Sequence, residues 1–224
     1  MKAMNEVVSA EALVLGMIAC RDNARDLIVE ADILTEHGRH ARAYALLHTA
    51  CEELGKFAVL EIGAKGLLAG RAPKWKRFWQ RFRSHDSKTA QLEVQLMKLA
   101  ASSAQAGDLA KLATALFDFG LLVRNAALYV DRGPDGAFRT PSSLDFSMPT
   151  PGLRVVAEHA LAAAQERGTS PADIDLHLRR PATAEVAEQA LYAMLKATER
   201  MRDLGIAKEE VKCLISKVMG DPKT

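Results

Sequence analysis

One long apolar segment, residues 40–68, constrains the fold of this chain more than any other stretch. Apolar residues recur three and four positions apart along two of its sides, which predicts a helix that neighbours cover on both sides. The first side is marked by Tyr44, Leu47, His48, Cys51, Leu54 and Ala58, and the second by Leu46, Ala50, Phe57 and Leu60. A helix of this kind is central, so the rest of the chain must supply the elements that pack around it.

The same helical period runs through most of the remaining sequence, and no segment alternates like a half-buried strand. The predicted helices cover residues 5–37, 40–68, 74–83, 85–105, 107–130, 151–167, 183–203 and 206–218. Ser170 before Pro171 is typical of an N-cap with proline at the first helical position, so a short helix is also predicted at 171–179. Residues 131–152, which contain several prolines and glycines, are predicted to form one long ordered loop.

These elements predict an all-α fold, an antiparallel helical bundle with additional C-terminal helices. A length of 224 residues fits one domain, 1–224, in which a motif-bearing bundle over 5–141 precedes helices over 151–218. The net charge of +2 favours no polyanionic partner, so such a partner must be inferred from local clusters.

Several features of the sequence favour a location in the cytoplasm. The apolar run SAEALVLGMIAC is interrupted by Glu11 and is too short to span a bilayer, and no signal peptide is recognisable before it. Three widely spaced cysteines form no disulfide framework and are expected to be free thiols: Cys20, Cys51 and Cys213. We therefore expect a cytoplasmic protein with no membrane partner.

Three charged residues lie in the middle of the apolar segment: Glu52, Glu53 and Lys56. They form an ion pair on a solvated strip, a buried polar cluster that fixes helix register, or part of a chemical site. We predict that all three lie near Arg124 and His85, because buried carboxylates need more positive charge than one lysine supplies. Arg124 has the opposite need, since the segment around it is otherwise apolar.

Three motifs resemble those of the AbiV abortive-infection family, within the HEPN superfamily of helical domains. AYALLHTACEELGK, residues 43–56, is similar to the family's hallmark, which ends in E-E-L-G-K. HDSK, residues 85–88, resembles the family's H-x-x-K after an aromatic, basic helix, and RNAALYVDRGPDGAFRTP, residues 124–141, resembles its arginine, LYVD and proline-terminated loop. The motifs occur in the family's order, and the C-terminal third adds no further match.

The resemblance implies antiphage defence through RNA or the translation machinery. HEPN ribonucleases carry R-x(4–6)-H, in which arginine holds the scissile phosphate and histidine acts on the 2′-hydroxyl without a metal, usually in a homodimer. The matching residues here are Arg124, Asn125 and, in the histidine position, Tyr129. A phenol is a poor base at neutral pH but can donate a hydrogen bond to phosphate. The implied partners are RNA, a second copy of the chain, and a phage or host protein.

His85 is the better histidine candidate. It lies three positions before Lys88 at a predicted helix start, so both project from one side, and proximity to Arg124 would create a phosphate site. The alternative is a capping or packing role for His85. Two other pairs have the HEPN spacing, at the frequency that chance predicts: Arg42 with His48, and Arg154 with His159. His48, on the apolar face, is interpreted as a core histidine.

A basic and aromatic segment precedes His85. Its aromatic residues follow a helical period and are expected to face the core: Trp75, Phe78, Trp79 and Phe82. Its cations are predicted to bind the RNA backbone: Lys74, Lys76, Arg77, Arg81 and Lys88. A non-catalytic module that binds RNA or a phage or host protein is the alternative function. With no E-x-x-H pair, P-loop, G-x-G-x-x-G or H-E-x-x-H, we predict no metal and no cofactor.

Overall fold

The structure, a computed structural model, describes residues 7–100, 120–133 and 135–180. Its helices are α1 (Ala10–Glu36), α2 (His40–Leu68), α3 (Trp75–Arg83), α4 (His85–Ala100), α5 (Gly120–Leu128), α6 (Pro149–Gln165) and α7 (Pro171–Arg179). A small antiparallel hairpin of β1 (Asp131–Arg132) and β2 (Phe138–Arg139) precedes a 3₁₀ turn, Pro141–Ser143. The predicted all-α class is confirmed.

The second helix, α2, occupies the centre of the described bundle. It contacts all six other helices named above, and most of its residues are buried. A turn of three residues, 37–39, reverses the chain between α1 and α2, with Gly38 at a φ of 68° that favours glycine. The two helices consequently pack against each other along their length. The central position predicted for residues 40–68 is confirmed.

Two glycines of α2 allow neighbouring helices to approach closely. A Cβ atom on Gly55 would overlap the backbone carbonyl of Lys88, so α4 meets α2 almost backbone to backbone there. A Cβ on Gly63 would lie 2.6 Å from Cε2 of Phe78, so the absence of a side chain at Gly63 makes room for this ring of α3. The first turn of α4, which begins at His85, is therefore held against the middle of α2.

Most predicted boundaries agree with the structure. Ser170 caps α7 by accepting a hydrogen bond from the Asp173 amide at 3.2 Å, and the helix covers the predicted residues 171–179. The prediction of one loop over 131–152 is wrong, because α6 begins at Pro149, where the first helical turn tolerates proline. Predicted elements outside the described residues are 101–105, 107–119, 183–203 and 206–218.

The helices contain two of the three cysteines. Cys20 on α1 and Cys51 on α2 are both buried free thiols, as predicted, whereas Cys213 lies outside the described residues. Within the described ranges, no helix combines the length and the apolar character needed to cross a bilayer.

Candidate functional site

A buried carboxylate, Glu52 of α2, lies at the centre of a cluster of cationic groups. Its Oε1 accepts hydrogen bonds from Nδ1 of His85 at 2.7 Å and from Nη1 of Arg124 at 3.2 Å. Its Oε2 accepts one from Nζ of Lys88 at 2.8 Å. His48, one turn earlier on α2, places its Nδ1 3.4 Å from Oε1. We call Glu52, His48, His85, Lys88 and Arg124 the Glu52 cluster; it joins α2, α4 and α5.

The Glu52 cluster keeps its carboxylate ionised. Burial raises the pKa of Glu52, but the polar contacts from His48, Lys88 and His85 outweigh burial and hold the pKa well below its usual range. Lys88 and Arg124 together bring two positive charges to this single negative one. The cluster therefore carries a surplus of positive charge, which is suited to an anion.

Only part of the Glu52 cluster reaches the surface. The side chain of Lys88 is 5% exposed, whereas those of Arg124 and His85 are 18% and 44% exposed. Nη2 of Arg124 also donates to Oδ1 of the exposed Asn125 at 3.4 Å. An incoming anion would thus meet Arg124 and His85 first, with Asn125 beside them.

Tyr129 lies just beyond the end of α5. Its amide donates to the carbonyl of Asn125 at 2.9 Å, and the residue is 63% exposed. Among the described residues, its hydroxyl makes no hydrogen bond. Its role toward a phosphate stays a prediction.

Glu53 and Lys56 form a separate pair beside the Glu52 cluster. Nζ of Lys56 donates to Oε1 of Glu53 at 2.6 Å and lies 5.6 Å from the ring centroid of Phe82 on α3. Burial and the neighbouring Glu53 raise the pKa of the Cys20 thiol to about 12. The predicted meeting with Arg124 and His85 is therefore confirmed for Glu52, whereas Glu53 pairs with Lys56 and approaches α1 instead.

The aromatic residues of α3 pack inward, as predicted. Phe78 is buried, and Trp75, Trp79 and Phe82 are partly buried against the core. The predicted RNA-binding cations of this segment are exposed: Lys74, Lys76, Arg77 and Arg81. Lys88 is the exception, because its ammonium group is buried on Glu52 and it does not belong to this surface.

A second buried carboxylate, Glu61, was not singled out by the sequence. Nζ of Lys65 donates to it at 2.6 Å, Nε2 of His177 lies 3.4 Å away and Nε of Arg167 lies 3.8 Å away. Burial raises the pKa of Glu61, but the contact with His177 and the charges of Lys65 and Arg167 lower it to about 2. The sequence feature that could have identified Glu61 is a carboxylate inside an otherwise apolar segment. We call these four residues the Glu61 cluster.

The other arginine–histidine pairs do not form a site. Arg42 is exposed whereas His48 is buried, as expected of a core histidine. Nε of Arg154 donates to Oδ1 of Asp32 at 2.6 Å, and His159 is exposed on the same helix. In the part of the chain that the structure describes, no group of three or more His, Cys, Asp or Glu side chains is arranged to hold a metal ion.

Comparison with known proteins assigns the chain to a family. The family model of AbiV, HEPN_AbiV, matches residues 12–145, a range that contains all the helices of the Glu52 cluster. Neither the curated proteins nor the solved structures give a match. Because the family match covers more than half of the chain, this protein belongs to the AbiV family of HEPN domains.

Proposed function

We propose that this protein acts in abortive infection, a defence against phage, as a metal-independent ribonuclease. Membership of the AbiV family suggests the defence role. The ribonuclease chemistry rests on one observation: His85 and Arg124 meet on the same oxygen of Glu52, and both reach the surface. Following the family resemblance, we also propose that two copies associate, which sedimentation of the purified protein would measure.

In this proposal His85 is the general base. A carboxylate only accepts hydrogen bonds, so Nδ1 of His85 carries the hydrogen in its 2.7 Å contact with Glu52. In the neutral ring, Nε2 is then left with its lone pair and can remove the proton of an RNA 2′-hydroxyl. Glu52 fixes the tautomer and orientation of the ring and takes no proton itself.

Arg124 binds the scissile phosphate. The 2′-oxygen attacks phosphorus, the bond from phosphorus to the 5′-oxygen breaks, and that oxygen takes a proton from water. The hydroxide so formed recovers the proton that His85 removed, which returns the ring to its neutral form. The products are a 2′,3′-cyclic phosphate and a 5′-hydroxyl. The guanidinium of Arg124 stabilises the added negative charge of the transition state, and Tyr129 donates a hydrogen bond to the phosphate.

Incubation of the purified protein with total RNA or tRNA in the presence of EDTA tests the proposal. We expect cleavage that Arg124→Ala and His85→Ala each reduce by at least about 100-fold. His159→Ala is the matched control, because His159 is an exposed histidine outside the Glu52 cluster. Circular dichroism would establish that the variants retain their helices.

Two outcomes would contradict the proposal. The first is the absence of cleavage above that of an Arg124→Ala, His85→Ala double variant. The second is an equal loss of activity in His159→Ala.

In cells, plaque counts over a broad phage panel test the defence role. Protection should be lost in Arg124→Ala, and equal counts with and without the wild-type protein would argue against this role.

The second candidate is a non-catalytic module that binds RNA through the exposed face of α3. It is favoured by four exposed cations, Lys74, Lys76, Arg77 and Arg81, beside an aromatic side that is already packed against the core. Binding of RNA without cleavage would support this candidate over the ribonuclease. A phage or host protein held by the same face would instead co-purify with this protein from cells.

A further inference from the structure

A cleft with a volume of about 340 Å³ lies between α2 and α3, apart from the Glu52 cluster. Four cations line it: Arg71, Lys74, Arg77 and Arg81. Its walls are partly apolar, with contributions from Val59 and Phe78, and no described carboxylate lines it. A positive cleft with an apolar interior suits a ligand that has an anionic part and a flat, weakly polar part.

The local sequence produces this cleft. Two glycines on α2, Gly63 and Gly66, let the basic segment approach closely: a Cβ on Gly63 would meet the Phe78 ring, and one on Gly66 would lie 3.0 Å from the Arg71 carbonyl oxygen, so both walls of the cleft are close to each other. Lys74, Arg77 and Arg81 recur at helical spacing along one side of the basic segment. None of the cleft's four cations forms an ion pair with a described carboxylate, so their charge is available to a ligand.

We propose that the cleft binds one unpaired nucleotide of a single-stranded RNA, with its phosphate against the cations and its base against the apolar walls. In duplex RNA the bases are stacked and paired, so a duplex could contact only the outer cations. Unpaired bases can leave the stack and pack on apolar or aromatic side chains. The inference deepens the proposed function, since it specifies the class of RNA that is cut.

The cleft and the Glu52 cluster both include residues of α2 and of α4. Val59 lies seven residues after Glu52 on α2, a distance of about 10 Å along a helix. Gln91 of the cleft and His85 of the cluster lie on α4. If one nucleotide of a strand binds in the cleft, the neighbouring phosphates would therefore lie along α2 and α4 in the direction of Arg124.

Binding of a labelled oligonucleotide to the full chain tests the inference. The probe is a short single-stranded 2′-O-methyl RNA, which lacks the 2′-hydroxyl needed for cleavage, compared with its duplex and with a nucleoside monophosphate. Arg77→Glu should weaken binding of the single strand by about ten-fold or more and reduce its salt dependence. Arg83→Glu is the matched control, because Arg83 is an exposed cation on the same helix that lies outside the cleft lining; it should change binding by less than about three-fold.

A second variant fills the cleft without changing charge. Ile62 lines the cleft and is 50% exposed, so Ile62→Trp can enlarge there without disturbing the core. It should weaken binding of the single strand by about ten-fold and leave the duplex unchanged. Three results would overturn the inference: equal effects of Arg77→Glu and Arg83→Glu, equal binding of duplex and single strand in wild type and Ile62→Trp alike, or a free monophosphate that binds as tightly as the strand.

The probe separates this inference from the proposed function. Selective binding that depends on the cleft, without cleavage of natural RNA by the wild type, would support the cleft and contradict the ribonuclease. Cleavage that Arg124→Ala abolishes, with no preference for the single strand, would contradict the cleft alone.

Discussion

The Glu52 and Glu61 clusters show how two similar carboxylates on one helix are neutralised by cations of different origin. Each glutamate is 4% exposed, and each contacts a histidine, a lysine and an arginine. Lys65, the closest partner of Glu61, comes from the next turn of α2 and is 45% exposed. Lys88, the closest lysine of Glu52, comes from α4 and is 5% exposed. Glu52 therefore depends more on tertiary structure.

The two arginines differ in the groups to which they donate. Arg167 donates to the carbonyl of Ala163 and to Oε1 of Gln95 in addition to its 3.8 Å approach to Glu61. Arg124 has, besides Glu52, one long contact to the adjacent Asn125. Both guanidinium groups make two hydrogen bonds and leave a buried Nε without one, so the number of occupied donors does not separate them. They differ in their acceptors: Arg124 bonds directly to its glutamate, whereas Arg167 bonds to Ala163 and Gln95.

Neutralising each glutamate should give the largest effect. Glu52→Gln leaves the buried Lys88 without its countercharge, and we expect it to lower the free energy of unfolding by about 3–5 kcal/mol. Glu61→Gln should cost less, about 1–3 kcal/mol, because Lys65 can turn to water. Urea denaturation of both variants measures the difference. Equal losses would show that the two clusters are energetically alike.

Adding one methyl group to α2 should disturb the Glu52 cluster selectively. Gly55→Ala pushes α4 away through the carbonyl of Lys88, and the expected loss is about 1–3 kcal/mol. Gly16→Ala on α1 is the control: its Cβ would lie 3.1 Å from Cδ1 of Leu60, a side chain that can move. The control should be neutral or slightly stabilising, since alanine favours helix. Equal behaviour of both variants would contradict the backbone contact between α2 and α4.

Lowering the pH should reduce the contribution of both clusters to the free energy of unfolding, by less than the substitutions do. The folded-state pKa values of Glu52 and Glu61 lie below the ordinary value of 4.5, that of Glu61 at about 2. Their stabilisation is therefore complete above about pH 5 and is lost as pH falls toward 2. In urea denaturation at pH 6, 4 and 3, the stability gap between wild type and each Gln variant should narrow with falling pH. A constant gap would contradict the lowered pKa values.

The smallest effect is expected at Glu53. Its partner Lys56 is 23% exposed and the pair lies within one helix, so Glu53→Gln should cost about 1 kcal/mol or less. The midpoint of urea denaturation at pH 7 measures this against Glu52→Gln. A loss as large as that of Glu52→Gln would show that Glu53 belongs to the same buried cluster.

Local patterns were sufficient for several elements. The bounds of α2 and α7 follow from apolar spacing and from the Ser170–Pro171 cap, because both signals act between residues close in sequence. The start of α6 at Pro149 was missed, since proline and glycine suggest a loop whereas the packing of Leu153 and Val156 in the core favours helix. The hairpin between α5 and α6 is too short to give a periodic signal.

The charged residues show which features follow from the sequence alone and which depend on tertiary packing. The sequence by itself determined that α2 is central, that a carboxylate in its middle requires cations, and that Arg124 and His85 could supply them. Only the tertiary structure decided that Glu52 receives them while Glu53 pairs with Lys56, and that Lys88 is buried. The physical reason is that adjacent residues on a helix point about 100° apart, so which of two neighbouring glutamates is buried depends on where α4 and α5 pack.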